Sequence, residues 1–197
     1  MKAFSKFGLL LAVGLMTCAA LAASAQAQVS INPDNTAIVG TATNPTINYE
    51  GTVWQCNTGT ASGTTGTDSA VVDVGLTFSG NCNAAGLSAT VTCNGTARLR
   101  ALTANTNLGE IDRLNEGFVC ELTMSGICTI TFAEQELPRP VAPNRNSANL
   151  LNEGGATVID ADLDVNVTRI GSTFCGPRSG VMGISANFDL VPDVSFD

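Results

Sequence analysis

The sequence predicts an all-β domain, an antiparallel sandwich or barrel of about nine to eleven strands with one short helix and three disulfides. Three observations lead there. Apolar and polar residues alternate with period two along most of the chain. Clusters of Gly, Asn, Ser and Thr separate the alternating stretches. Six of the seven cysteines remain once an N-terminal export signal is set aside.

In chain order, that signal comes first. Lys2 and Lys6 form a basic start, an apolar run follows from Phe7 to Ala23, and Ala23-Ser24-Ala25 and Ala25-Gln26-Ala27 are small-x-small cleavage sites. Cleavage is expected after Ala27, with Ala25 next in preference. A retained membrane span is disfavoured because the run is short and no basic stop-transfer flank follows it. Thr17 argues against lipidation at Cys18. Residues 1–27 therefore read as a cleaved signal peptide and 28–197 as a single β-rich domain.

Strands are expected at 37–42, 45–55, 72–78, 88–93, 96–102, 117–123, 127–132, 157–168, 180–190 and 191–196, with turn clusters at 57–69 and 81–86. The clearest runs from Thr157 to Thr168. Ile159, Ala161, Leu163, Val165 and Val167 share one face, and Asp160, Asp162, Asp164 and Asn166 share the other. Asn107, three residues before Glu110, has the spacing of a helix cap, with Ile111 and Leu114 on one face of a short helix ending near Gly117. Pro138, Pro140 and Pro143 and an Asn-rich run make 134–155 read as a long surface loop.

Both lysines leave with the signal and none of the seventeen acids does, so seven Arg against seventeen acids give the mature chain a net charge of −10. Such a surface repels nucleic-acid phosphates and anionic lipid heads, and the mature chain has no expected membrane span. The protein contains no His, which excludes Ser-His-Asp and Cys-His catalysis and histidine metal ligation. The absence of Lys from the mature chain removes Schiff-base chemistry. Cys56, Cys82, Cys93, Cys120, Cys128 and Cys175 form an even set without Cys-x-x-Cys spacing, and so read as three disulfides rather than a zinc site. Cys120 and Cys128 flank a Ser125-Gly126 turn with Leu122, Ile130 and Phe132 on their own parity, which makes them the first choice for a cross-strand bridge.

Two-carboxylate hydrolysis stays open by residue type, with Glu110, Asp112, Glu116, Glu121, Glu134 and Glu136 as candidates. Only Trp54 and Tyr49, with six Phe, could stack on a sugar. Asp160, Asp162 and Asp164 are weak calcium candidates, since Val165 and Gly171 occupy the positions where a calcium loop needs Gly and Glu. No cofactor is indicated.

The run Leu76-Thr77-Phe78-Ser79-Gly80-Asn81-Cys82, then Val91-Thr92-Cys93, the Cys120/Cys128 hairpin and Phe174-Cys175-Gly176, resembles small secreted, cysteine-paired β-rich proteins of actinobacterial type. It covers roughly 76–190, and that group implies export and β structure but no activity.

Three functions follow, in order of expectation. The first is a non-enzymatic structural or interaction protein, secreted and extracellular, at the cell surface or in the periplasm. It would contact itself or another surface protein, for instance as an assembly subunit. Val29 and Ile31, Ala37 and Val39, Ile47 and Tyr49 could then add a strand to a neighbour, making 28–49 a candidate pairing or exchanged segment, although pairing within its own sheet is the simpler arrangement. The second is a small-ligand module with an apolar or carbohydrate-binding pocket lined by Phe78, Phe118 and Phe132. A carboxylate-dependent hydrolase is the third.

Overall fold

The computed structural model describes residues 29–84, 86–103, 106–124, 126–139, 146–153 and 156–197; the signal read at 1–27 lies outside them. The strands are β1 Ile31–Asn32, β2 Ala37–Thr43, β3 Thr46–Tyr49, β4 Thr52–Thr64, β5 Val71–Ala84, β6 Leu87–Asn94 and β7 Thr96–Ala101. They continue as β8 Gly109–Met124, β9 Cys128–Glu136, β10 Ser147–Glu153, β11 Ala156–Gly171, β12 Ser179–Val191 and β13 Ser195–Phe196. A single 3-10 turn, Thr173–Cys175, is the only helical element among the described residues.

Strands β2–β12 form one 11-stranded antiparallel sheet whose ladders close on themselves. Three staves of the resulting barrel are broken strands. β2 and β3, interrupted at Asn44-Pro45, both lie between β4 and β12. β6 and β7, joined at Gly95, lie between β5 and β8. β9 and β10 lie between β8 and β11. Counting each broken strand once, the barrel has eight staves in chain order, and β12 returns to β2 and β3 to close it. At eight strands a barrel interior is just wide enough for side chains to fill.

Alternation decides what lies inside. Along β12, Met182, Ile184, Ala186, Phe188 and Leu190 are buried while Ser185, Asn187 and Asp189 are exposed. Apolar side chains inward and polar ones outward is the reverse of a lipid-embedded barrel. Along β11 the expected two faces hold, with Ile159 to Val167 inward.

Several sequence expectations are corrected. The predicted helix after Asn107 is the first half of β8. Ile111 and Leu114 are both buried because the register slips between Arg98 opposite Arg113 and Leu99 opposite Ile111, leaving one extra residue. A second slip between Leu114 and Val119 carries Phe118 inward as well. Two irregularities thus give a strand the three- and four-residue apolar spacing of a helix. The proline-containing stretch is not one long loop: β9 reaches Glu136, and β10 places Ala148 and Leu150 in the core. Residues 45–55 are a hairpin, not one strand, turning at Glu50-Gly51, where both residues have positive φ. Residues 57–64, read as turn chemistry, continue β4; there Gly63 sits so close to the Asp73 carbonyl that a Cβ would lie 2.6 Å from it.

The β9/β10 stave meets β11 along an interrupted seam. Backbone rungs run from Thr131 to Cys128 against β11 and again from Ser147 to Glu153. Between them, side-chain amides stand in for backbone. Gln135 donates to the Asn166 carbonyl (3.2 Å) and accepts from its N–H (2.8 Å). Asn146 accepts from the Asp164 N–H at 2.8 Å and donates to the Pro138 carbonyl at 2.9 Å. β1 and β13 pair across the end of the barrel distant from the cysteines, burying Ile31 and Phe196.

Candidate functional site

Three disulfides staple one end of the barrel: Cys56–Cys82, Cys93–Cys120 and Cys128–Cys175. The expected Cys120–Cys128 bridge is therefore wrong. The β8–β9 hairpin turns so tightly that Cys128 faces Met124 while Cys120 faces Phe132, four rungs apart in sequence on each strand. The physical idea of a bridge between directly opposed residues holds for other partners, since Cys56 faces Cys82 and Cys93 faces Cys120.

The third disulfide builds the most distinctive surface of the molecule. Beyond β11 the chain turns through Ser172 and the 3-10 turn before entering β12. Ser172 Oγ accepts from the Phe174 N–H, and the Ser172 N–H donates to the Ile127 carbonyl at 2.9 Å. Arg169, buried on the inward parity of β11, donates to the carbonyls of Gly171, Ser172 and Pro177. Tyr49 Oη donates to Pro177 as well, at 2.9 Å. Burial, and secondarily Glu50, raise the Tyr49 pKa above its ordinary value, with Arg169 opposing. At the end of β11 Ile170 is 75% exposed, and on this fixed loop Phe174 is 72% exposed. Phe174 itself forms part of the wall of a cleft of about 330 Å³, whose other sides are Tyr49, Trp54, Leu87, Met124 and Ile130 with the polar Glu50 and Thr52.

The sequence candidates fall elsewhere. Of the interaction set, Ile31, Ile47 and Tyr49 are core residues of their own barrel, Val29 packs partly against that core, and only Ala37 and Val39 are exposed. The 29–49 segment pairs with β4, β12 and β13 of its own chain. Phe118 and Phe132 pack on each other, with ring centroids 5.9 Å apart. Phe78 alone of the three lines the interior void, an apolar cavity of about 50 Å³, well below the few hundred Å³ of an ordinary ligand pocket.

The acids are dispersed rather than convergent. Asp112 is held by Arg98 (2.7 Å) and Arg100 (2.8 Å) on the outer wall, and its hydrogen bonds raise the Arg98 pKa further. Glu136 pairs with Arg113 at 2.7 Å, and Glu134 accepts from the Gly117 N–H. Glu116 and Glu121 are exposed. Glu110 is buried, and neither carboxylate oxygen has a partner. Asp160, Asp162 and Asp164 line the outward face of β11, and among the described residues no group of three or more acidic, Cys or His side chains could hold a metal ion.

Sequence reasoning missed Ile170 and Phe174. One signal was readable: at the end of β11 the alternation inverts, with Arg169 on the inward parity and Ile170 on the outward one. No helix among the described residues is long and apolar enough to cross a membrane. Comparison with family models, with curated proteins and with solved structures returned no match.

Proposed function

We propose that this is an exported, non-enzymatic extracellular protein that works by contact between copies of itself at the stapled mouth. The observation carrying this reading is the exposure of two apolar side chains, Ile170 and Phe174, at a cleft that is lined mainly by apolar residues and of which Phe174 forms one wall. An exposed aromatic whose backbone is held by a disulfide and by hydrogen bonds to four carbonyls and one hydroxyl loses little backbone freedom on binding, which favours affinity. Exposed apolar side chains and a cleft on one face also form a self-complementary surface of the kind a two-fold dimer requires. Val53 and Val181, both about half exposed, add apolar area on the outer wall of the same end.

The alternatives receive less support. Strand addition needs an open sheet edge, and the ladders of this sheet close. A void of about 50 Å³ favours a filled barrel over a ligand carrier. A carboxylate hydrolase would need two free acids flanking one cleft, whereas Asp112, Glu134 and Glu136 are each engaged separately. The deciding experiment is sedimentation of the disulfide-intact protein over a wide concentration range. Concentration-dependent dimers or larger species are expected, lost in Phe174→Ser with its melting temperature unchanged. A monomer at every concentration, or association indifferent to that substitution, would overturn the reading.

A further inference from the structure

At the opposite end of the barrel, the start of β8 holds a buried carboxyl group without a hydrogen-bond partner. Glu110 is 1% exposed, and both its oxygens lack a hydrogen-bond partner. Its register neighbours are Arg100 on β7 and Ser147 on β10, but the Arg100 guanidinium is committed to Asp112. A carboxylate shut away from water without a donor is among the costliest arrangements in a protein. Glu110 forms part of a cleft of about 290 Å³, together with Leu102, Leu108, Arg139, Ser147 and Asn149.

The cleft is built. On one side Leu102 N–H donates to the Leu108 carbonyl (3.0 Å), and Leu150 N–H on β10 donates to the Asn107 carbonyl (2.7 Å). Its floor includes Gly109, where a side chain would run into the Ala148 carbonyl and the Phe196 ring. The two leucines leave much of their surface open to water. Arg139, exposed on the same wall, joins none of the ion pairs among the described residues. A carboxyl group without a hydrogen-bond partner, an arginine in none of the ion pairs among the described residues, and the apolar surface of two leucines line one cleft.

We infer that this cleft binds a small zwitterion with an apolar body, of the class of a free apolar amino acid. The ammonium group is met by Glu110, the carboxylate by Arg139 and the hydrocarbon by Leu102 and Leu108. The site lies away from Phe174, so it stands or falls independently of self-association at the mouth.

The test is calorimetric titration of the disulfide-intact protein with L-leucine, N-acetyl-leucine and leucinamide. Leucine should bind with a dissociation constant of about 1 mM or tighter, and loss of either charged end should weaken binding by at least about tenfold. Glu110→Gln should abolish leucine binding, because it keeps the shape of the side chain and removes the carboxylate that would meet the ammonium. Arg139→Gln, on the surface, should weaken leucine more than leucinamide with no change in melting temperature. Three results would each overturn the inference: no binding at about 10 mM, equal binding of N-acetyl-leucine, or an unchanged affinity in Glu110→Gln. If Glu110→Gln fails to fold, the two blocked ligands and Arg139→Gln decide alone.

Discussion

Around Tyr49, Trp54, Met124 and Met182 the barrel interior is packed with large and sulfur-bearing side chains; two disulfides tie neighbouring staves together and a third ties β9 to the 3-10 turn. Around Ile38, Ala161, Ala186 and Leu190 the same eight staves enclose only aliphatic residues and Phe, with a void of about 50 Å³ and no cysteine. The first end carries an exposed, irregular loop; the second is shut by the pairing of the two terminal strands β1 and β13. The contrast separates two means of stability. Disulfides act chiefly by restricting the unfolded chain, so the stapled end can support a protruding Phe174 that contributes nothing to the core. The other end depends on burial alone, and its void costs about 1.2 kcal/mol at about 24 cal/mol per Å³. One bridge therefore outweighs the imperfection of the opposite end.

The largest expected effect follows from that ranking. Removing Cys128–Cys175, which spans 47 residues, should cost about 4 kcal/mol, and removing Cys56–Cys82, which spans 26, about 3.5 kcal/mol. Paired Cys→Ala variants measured by denaturant unfolding would check both values. Losses below about 1 kcal/mol would mean that the stapled end is held by packing like the other, and the comparison would fail.

Next in size is a core truncation at the cysteine-free end. Leu163 lines the void, so Leu163→Ala enlarges a space that already exists and should cost about 2–5 kcal/mol. Ile170→Ala, on the exposed side of the same strand, should change stability by no more than about 0.5 kcal/mol. Equal losses would place β11 in the wrong orientation.

How much of this was legible beforehand differs between the ends as well. The alternation in β11 and β12 was open to reading because every inward residue from Ile159 to Val167 and from Met182 to Leu190 is apolar and every rung between the two strands is regular. β8 was not, because two register slips give Ile111, Leu114 and Phe118 helical spacing. Nor was β10, where alternation covers only Ala148 and Leu150 within an Asn-rich run. The even cysteine count foretold three bridges, but the partners depend on which strands become neighbours, and no local pattern encodes that. Glu110 was visible only as one acid among many; its isolation arises from a cleft assembled by three separate segments. Ile170 and Phe174 owe their meaning to a loop whose anchors, Cys128 and Tyr49, are remote in sequence.

A smaller effect distinguishes the ends by pH. Tyr49 donates to Pro177 at the stapled mouth, and its phenol pKa is raised above 10.0, mainly by burial. The unfolded chain therefore releases this proton first as pH rises. Stability from Tyr49 is intact below pH 10.0 and declines as pH rises from there through the folded value. In Tyr49→Phe the alkaline slope of the unfolding free energy should flatten, while stability at neutral pH drops by about 1 kcal/mol for the lost hydrogen bond. An unaltered slope would mean that the phenol titrates alike in both states.

The smallest expected change is also the sharpest discriminator between the two interiors. Ala161 and Ala186 face each other across β11 and β12 and both line the void. Ala89, directly opposite Cys82 in the stapled half, is buried and touches no such space. Adding two methyl groups at Ala186 puts hydrocarbon into room that is already apolar and empty. The gain is bounded by the cost of the void itself, so Ala186→Val should stabilise by no more than about 1 kcal/mol. The same change at Ala89 must displace packed neighbours or a disulfide, and overpacking of that kind costs about 1–3 kcal/mol. The two substitutions are chemically identical and sit on equally buried strands, so propensity and unfolded-state effects largely cancel in the comparison. Opposite signs in denaturant unfolding are expected. Destabilisation by both would mean that the void at the cysteine-free end is closed by small movements of Phe188 and Leu190, leaving the two interiors equally full.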